Sequence, residues 1–135
     1  MSEPTLFERL GGEWALRPII QDFVQRMTTD MMIGFFFREV DAKRLEEMEY
    51  LFTAKFLGAD VQYVGKPIRD AHAPHPIMGG QFDRRRQILE EAIDRHGVAP
   101  DIKAAWLEHV DRLRPQVTRD AAGVCIDPVR GDEEL

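Results

Sequence analysis

Apolar residues recur three and four positions apart along most of this chain, and this spacing strongly limits what the chain can fold into. Such a period places them on one face of an α-helix. The first long helix is predicted over 13–29, and its apolar face consists of Leu16, Ile19, Ile20, Phe23, Val24 and Met27. Asp41 can cap a second helix, whose predicted buried stripe is Leu45, Met48, Phe52 and Phe56.

Two further helices are predicted in the second half of the chain. One runs from about Gln81 to Arg95, with buried Phe82, Leu89, Ala92 and Ile93, and His96-Gly97 closes it. The other runs from about Asp101 to Val117, with buried Ala105, Leu107, Val110 and Leu113. We expect Pro115 to bend it or end it early, because proline lacks the N–H that an interior helical position donates. No strand pattern competes with these helices, so the fold class is all-α.

Shorter signals fill in the connections. Thr5 and Glu8 have the spacing of a capping box for a first helical turn, and Gly11-Gly12 then breaks the chain. The run Phe35-Phe36-Phe37 is too short and too aromatic for an amphipathic helix, so we interpret it as a tight helical corner driven into the core. Gly58 ends the helix that Asp41 begins.

Composition narrows the function classes. A chain of 135 residues with 44% apolar and 31% charged residues suits one soluble domain. We assign that domain to residues 1–119, followed by a poorly ordered tail over 120–135. A single cysteine, Cys125, fits a reducing cytoplasm. A net charge of −6 disfavours nucleic acid as a partner, no segment has the roughly 20 apolar residues that span a bilayer, and the N-terminus lacks a signal-peptide pattern.

One histidine lies where a cofactor ligand would be presented. His72 sits in a segment rich in proline and glycine between two long helices. A haem site needs an imidazole, an apolar slot and cations for the propionates. The slot could be lined by Phe36, Phe37, Leu45, Met48, Ile68, Ile77 and Phe82, and the propionates could be met by Tyr63, Lys66, Arg69 and His75. From the residues alone, a histidine in a helical protein is more often a surface or capping residue than a metal ligand.

The order of several short motifs resembles that of the truncated haemoglobins, the two-over-two helical branch of the globins. The motifs are Leu6-Phe7-Glu8-Arg9-Leu10-Gly11-Gly12, Asp22-Phe23, Phe36-Phe37, Phe56-Leu57-Gly58, Tyr63-Val64-Gly65, Ala71-His72-Ala73-Pro74 and Phe82-Asp83-Arg84. The resemblance implies a non-covalent haem b with His72 as the proximal iron ligand. It also implies that Phe37 packs on the porphyrin, and that Tyr63 and His75 lie near the haem edge.

The side of the haem that would bind a ligand departs from the family pattern. Members commonly have a tyrosine at the position of Val24, a glutamine at that of Glu49 and a tryptophan at that of Arg85, and Leu45 also offers no hydrogen-bond donor. Burying a charged side chain without a partner of opposite charge costs roughly several kcal/mol. We therefore hypothesise that Glu49 and Arg85 pair across the distal pocket; alternatively each lines a hydrated opening or extends to solvent, or Arg86 is the partner.

These features leave three functions open. The leading one is reversible binding of a small diatomic ligand (oxygen, NO or CO) to the haem iron, in a cytoplasmic monomer or weak dimer served by a reductase. The second is a peroxide- or NO-converting haem enzyme, in which Glu49 and Arg85 assist catalysis. The third is a helical interaction or sensor module that keeps the fold without haem. A thioether at Met48 could coordinate iron in the absence of an external ligand, although its apolar neighbours favour a core role.

Overall fold

Six helical segments make up the part of the chain that the computed structural model describes, residues 3–63 and 77–118. They are α1 (Leu6–Leu10), α2 (Glu13–Thr28), a 3₁₀ turn (Gly34–Phe37), α3 (Ala42–Leu57), α4 (Gly79–Arg95) and α5 (Pro100–Val117). These residues contain no strand, which confirms the all-α prediction. Residues 64–76, with His72, and the tail 120–135 lie outside the described residues.

The predicted capping signals operate at the ends of α1 and α3. The backbone N–H of Glu8 donates to Thr5 Oγ1 over 3.1 Å, and the Thr5 N–H donates to Glu8 Oε1 over 2.9 Å. At the start of α3, the N–H of Lys43 donates to Asp41 Oδ1 over 3.0 Å. Gly58 ends α3 with φ +104°, and a Cβ there would lie 2.8 Å from the Cβ of Thr5. A glycine is therefore required both for the turn and for the close approach of α1.

The central helix is α2. All six of its predicted apolar residues are buried, which confirms the stripe read from the sequence. It packs against both α3 and α4, and α4 in turn packs against α5. The helices thus form two layers, α2 with α3 and α4 with α5, in a two-over-two sandwich whose core lies around α2.

The buried stripe predicted for α3 is wrong, because α3 is apolar on two sides. Its buried residues are Tyr50, Thr53, Ala54 and Leu57. The predicted residues Leu45, Met48, Phe52 and Phe56 are only half-buried. At about 100° per residue the two sets point roughly 145° apart. We call the side formed by Leu45, Met48, Phe52 and Phe56 the second face of α3.

The face that α5 buries also differs from the prediction. Leu107 and Val110 are buried as expected, whereas Ala105 and Leu113 are only half-buried. Ile102, Trp106 and Val117 are buried in their place. Burying the large Trp106 ring stabilises the fold more than burying the methyl group of Ala105 would, so α5 turns its Trp106 side toward the core.

Two local expectations also need correction. Pro115 does not end α5 early, because the helix continues to Val117. A proline in the last turn removes one N–H bond, while most of the helix before it stays bonded. In the aromatic corner, Phe36 and Phe37 pack against the core, but Phe35 remains 46% exposed. The corner is thus only partly driven into the core.

Candidate functional site

The second face of α3 meets a cluster of aromatic rings. The Phe56 ring stacks on the imidazole of His109 in α5, with centroids 3.9 Å apart and planes at 8°. The Phe52 ring lies 5.5 Å from the same imidazole and 5.3 Å, edge to face, from the ring of Tyr63. The half-buried rings of Phe52 and Phe56 on α3 therefore reach the imidazole on α5 and bridge the space between the two helices.

His109 is the residue of this cluster that sequence reasoning missed. Its Nε2 is buried and has no hydrogen-bond partner among the described residues. Burial, with a smaller contribution from the positive charge of Arg112, lowers the pKa of His109 below its ordinary value. The imidazole is therefore neutral at pH 7. A polar residue on an otherwise apolar helix face was the available signal, but the sequence does not show which rings contact it.

A half-buried ion pair joins α3 to α4. Arg85 Nη2 donates to both carboxylate oxygens of Glu49, over 3.0 and 3.1 Å. The side chains are 26% and 20% exposed. The guanidinium carbon of Arg85 also lies 4.9 Å from the centroid of the Phe23 ring, a cation–π distance. The hypothesis that Glu49 pairs with Arg85 is confirmed; that the pair faces a haem remains a prediction.

The competing pairing of Glu49 with Arg86 is wrong. Arg86 instead donates from Nε to Asp111 Oδ1 over 2.7 Å, and its Nη1 lies 3.6 Å from Glu90 Oε1. Arg84 points in a third direction, toward Asp30, and donates from Nε and Nη2 to Asp30 Oδ1 over 3.0 and 2.7 Å. Consecutive residues on a helix point about 100° apart. Each arginine of the run therefore has a different carboxylate within reach.

Tyr63 lies within the electrostatic influence of Glu49. Burial raises the pKa of the Tyr63 hydroxyl, and the negative charge of Glu49 raises it further. This tyrosine is therefore a neutral, protonated phenol at physiological pH. Its hydroxyl is a polar group at the edge of an otherwise aromatic cluster.

The remaining predicted site residues fall into two groups. Phe36, Phe37, Leu45 and Ile77 are half-buried against the core, while Val24 and Phe82 are buried. Met48 is half-buried on the second face of α3. The other group, Ile68, Arg69, His72 and His75, lies outside the described residues. So does Lys66.

The described ranges, 3–63 and 77–118, contain no group of three or more His, Cys, Asp or Glu side chains that could hold a metal ion. Within the same residues no helix has the length and apolar character needed to cross a membrane. Among these residues the candidate site is therefore defined by the second face of α3 and the neutral imidazole beside it, and not by a cluster of ligating side chains.

Comparison with known proteins gives the family. Residues 5–119 match the family described as bacterial-like globin. The chain belongs to the truncated haemoglobins. It is 33% identical over 105 residues to the group 1 truncated haemoglobin of Synechocystis, covering 74% of this chain and 84% of that one. It is 27% identical over 123 residues to that of Mycolicibacterium paratuberculosis, covering 90% of both.

The fold of this truncated globin agrees with that family. It superposes with a TM-score of 0.78 on the crystal structure of the haemoglobin of Chloroflexus aurantiacus, at 26% identity, covering 87% of this chain and all of that one. A TM-score of 0.79 relates it to the truncated haemoglobin of Tetrahymena pyriformis in its Fe(III) form, at 23% identity, covering 85% of this chain and 98% of that one. The family assignment supports a haem-binding role for the globin.

The described residues fit a haem on two physical counts. The second face of α3 is apolar and remains only half-buried, as the wall of a slot for a flat macrocycle would be. Nε2 of His109 is a buried polar atom without a hydrogen-bond partner among the described residues, which is uncommon in a finished core. A planar group that is apolar at its centre and carries polar substituents would satisfy both.

Proposed function

We propose that this truncated globin holds a haem b through His72 and reversibly binds a small diatomic ligand (oxygen, NO or CO) on the opposite side of the iron. The observation that carries the proposal is the second face of α3, which is apolar yet only half-buried. An apolar helix face needs a partner, since leaving it in water forfeits about 25 cal/mol per Å² of surface that could be buried. Membership of a haem-binding family names that partner.

The chain offers residues for each part of such a site. Phe36, Phe37, Leu45, Met48 and Phe52 would form the apolar walls, with Phe82, Ile68 and Ile77 completing them. Tyr63, Arg69 and His75 would meet the polar edge of the haem. His109 would contribute a neutral imidazole beside the Phe56 ring.

When bound, the haem supplies an iron centre that coordinates the ligand. On the ligand's side, Val24 and Leu45 can only shape the space, because neither carries a hydrogen-bond donor. Arg85 is the donor that the described residues offer near Glu49. The Glu49 carboxylate fixes one end of the guanidinium, which keeps it from turning out to solvent. Retention of bound oxygen, which carries partial negative charge, would thus depend on Arg85.

The test is an absorption spectrum of purified protein reconstituted with haemin. We expect a Soret band in the wild-type protein and its loss, or a large shift, in His72→Ala. His75→Ala is the matched control, since it removes a histidine three residues away, and it should retain the band with at most a weaker haem affinity. A His72→Ala protein with a wild-type spectrum would contradict the assignment of His72. A wild-type protein that binds no haemin would instead favour a helical module that works without the cofactor.

A second candidate function, turnover of peroxide, is favoured by the Glu49–Arg85 pair. In this case a Glu49 oxygen would accept a proton from the incoming peroxide and return it to the departing oxygen, which leaves as water. The Arg85 guanidinium would stabilise the negative charge that develops on that oxygen. Their contact over 3.0 Å brings a carboxylate and a guanidinium to one place.

Peroxide-dependent oxidation of an added phenol measures this second function. Glu49→Gln should lower the rate by about 10²-fold or more, the usual contribution of a positioned acid–base group. Glu47→Gln is the control, because Glu47 lies on the same helix and accepts from Arg17 Nη1 over 3.0 Å. Equal rates in the wild-type and both variant proteins would exclude Glu49 from such chemistry and leave ligand binding as the function.

A further inference from the structure

The three consecutive arginines in the first half of α4, Arg84, Arg85 and Arg86, differ in how many of their N–H groups are engaged. Arg84 uses all three nitrogens, with Nε and Nη2 on Asp30 and Nη1 on Gln87. Arg86 uses Nε and Nη2 on Asp111 and directs Nη1 toward Glu90. Within residues 3–63 and 77–118, Arg85 donates only from Nη2, and both bonds go to Glu49. One Nε–H and two Nη1–H donors of Arg85 therefore have no protein partner there.

The free edge of Arg85 is held in place. The Glu49 carboxylate fixes one end of the guanidinium and the Phe23 ring lies 4.9 Å from its central carbon. Phe23 is itself buried in the core, with 1% of its surface exposed, so the ring cannot move aside. A guanidinium fixed at two points loses little conformational freedom when it binds a further group.

The chemistry of that edge selects anions. A guanidinium has five N–H donors and no acceptor, and its planar fork matches a pair of acceptor atoms. Side-chain exposure of 26% means that water screens the charge only partly. The carboxylate of Glu49 opposes an anion through its own charge, so it should reduce the affinity without removing the donors.

We propose that the unengaged edge of Arg85 is a subsite for small anions on the ligand-binding side of the haem, of the class that includes azide, nitrite and hydroperoxide. This inference rests on the proposed function, because the anion is held jointly by the iron and by Arg85. Glu49 lies within about 60° of the direction of Leu45, Met48, Phe52 and Phe56 at ~100° per residue, so the guanidinium that it holds borders the second face of α3. The protein accordingly prefers anionic ligands over neutral ones of similar size.

The test compares azide with neutral probes. The ferric haem-loaded protein is titrated with azide and with imidazole, and the ferrous protein with carbon monoxide, each followed by the shift of the Soret band. Arg85→Gln should weaken azide binding by about 10- to 100-fold, the value of one charge-assisted hydrogen bond. Imidazole and carbon monoxide affinities should change by less than about threefold. Arg86→Gln, one residue along and paired outside the site, should leave all three affinities within about twofold.

Two further variants keep the proposal open to refutation if Arg85→Gln folds poorly. Arg85→Lys keeps the charge but loses the fork, so azide affinity should fall to an intermediate value. Glu49→Gln removes the opposing charge, while the amide oxygen can still accept from Arg85 Nη2 and hold the guanidinium, so azide affinity should rise several-fold, roughly as expected for losing one repulsive charge near the site.

The outcomes separate this inference from the proposed function. The anion subsite alone would be overturned by the following result: every variant shows a normal Soret band, and Arg85→Gln weakens azide binding no more than it weakens imidazole binding. A wild-type protein without a Soret band on adding haemin would overturn both.

Discussion

At the scale of single residues, His109 is the most unusual group in the described chain. Its ring is almost parallel to that of Phe56, at 8°, and its Nε2 is buried with no hydrogen-bond partner within residues 3–63 and 77–118. A buried polar atom left unpaired costs about 1–3 kcal/mol. Such a cost is commonly retained where the atom has another role, and here that role would be contact with the haem.

Replacing His109 by phenylalanine separates stacking from polarity. We expect His109→Phe to raise the free energy of unfolding of the haem-free protein by about 1 kcal/mol at pH 7, because the ring stays and the unpaired nitrogen goes. His109→Gln is the control: it keeps a polar group but loses the ring, so it should be less stable than the wild type. Chemical denaturation followed by circular dichroism measures both. A His109→Phe protein less stable than the wild type would mean that the nitrogen contributes a favourable interaction.

The same residue predicts a pH dependence. Burial lowers the pKa of His109 in the folded state. Once the pH is below about 6.5, the ordinary pKa of histidine, the unfolded state therefore binds a proton more readily than the folded state. Stability should therefore fall as pH decreases below roughly 6.5 and level off below the folded-state pKa. In His109→Phe this loss should be absent from that interval. An identical pH profile for both proteins, measured by denaturation at several pH values, would contradict the buried, neutral imidazole.

At the scale of elements, the aromatic corner is tied to α4 by a single carboxylate. Asp30 Oδ1 accepts from Nε and Nη2 of Arg84, and its Oδ2 accepts from the backbone N–H groups of Met32 and Ile33, over 2.9 and 3.2 Å. Its side chain is only 9% exposed. The corner that carries Phe36 and Phe37 is thus positioned against α4 by polar contacts as well as by packing.

Removing this carboxylate should loosen the corner. Asp30→Ala should lower the free energy of unfolding by about 3 kcal/mol, since it leaves Nε and Nη2 of Arg84 and two backbone N–H donors unpaired. Asp111→Ala, at an exposed pair with Arg86, should cost less than about 1 kcal/mol. The Arg84 guanidinium holds the pKa of Asp30 below its ordinary value. This stabilisation is therefore complete above about pH 4 and is lost as pH falls through the folded-state pKa.

Denaturation of the two variants, at neutral and acidic pH, checks that prediction. The difference between wild type and Asp30→Ala should shrink on acidification, because the wild-type carboxylate becomes protonated. Equal losses for Asp30→Ala and Asp111→Ala at neutral pH would contradict a special role for the corner contact.

At the scale of the whole molecule, the sequence predicts the helices better than it predicts their orientation. The α2 stripe could be identified because, apart from the exposed Trp14, the large apolar residues of α2 occupy one face, and all six of them are buried. For α3 the same rule fails, because Tyr50, Ala54 and Leu57 are as apolar as Phe52 and Phe56. Which face meets α2 depends on the tertiary fold, and no periodicity in a single helix contains that information.

The candidate site shows the same division. Helix geometry and the family positions were enough to hypothesise the Glu49–Arg85 pair, since a buried charge needs a partner close by, but they left Arg86 open as the alternative partner. The stacking of His109 on Phe56 joins residues 53 positions apart in the chain, and nothing local in either helix signals it. Long-range contacts of this kind were accessible only from the three-dimensional structure.

The central claim is that the second face of α3 is the wall of a haem site, and titration of the haem-free protein with haemin tests it most directly. The wild-type protein should saturate at one haem per chain. Phe52→Asp should weaken haem affinity by about 100-fold or more, because its carboxylate would be buried against the macrocycle. Far-UV circular dichroism should show unchanged helix content, since Phe52 is half-buried and away from the α2 interface. A folded Phe52→Asp protein that binds haemin as tightly as the wild type would contradict the claim.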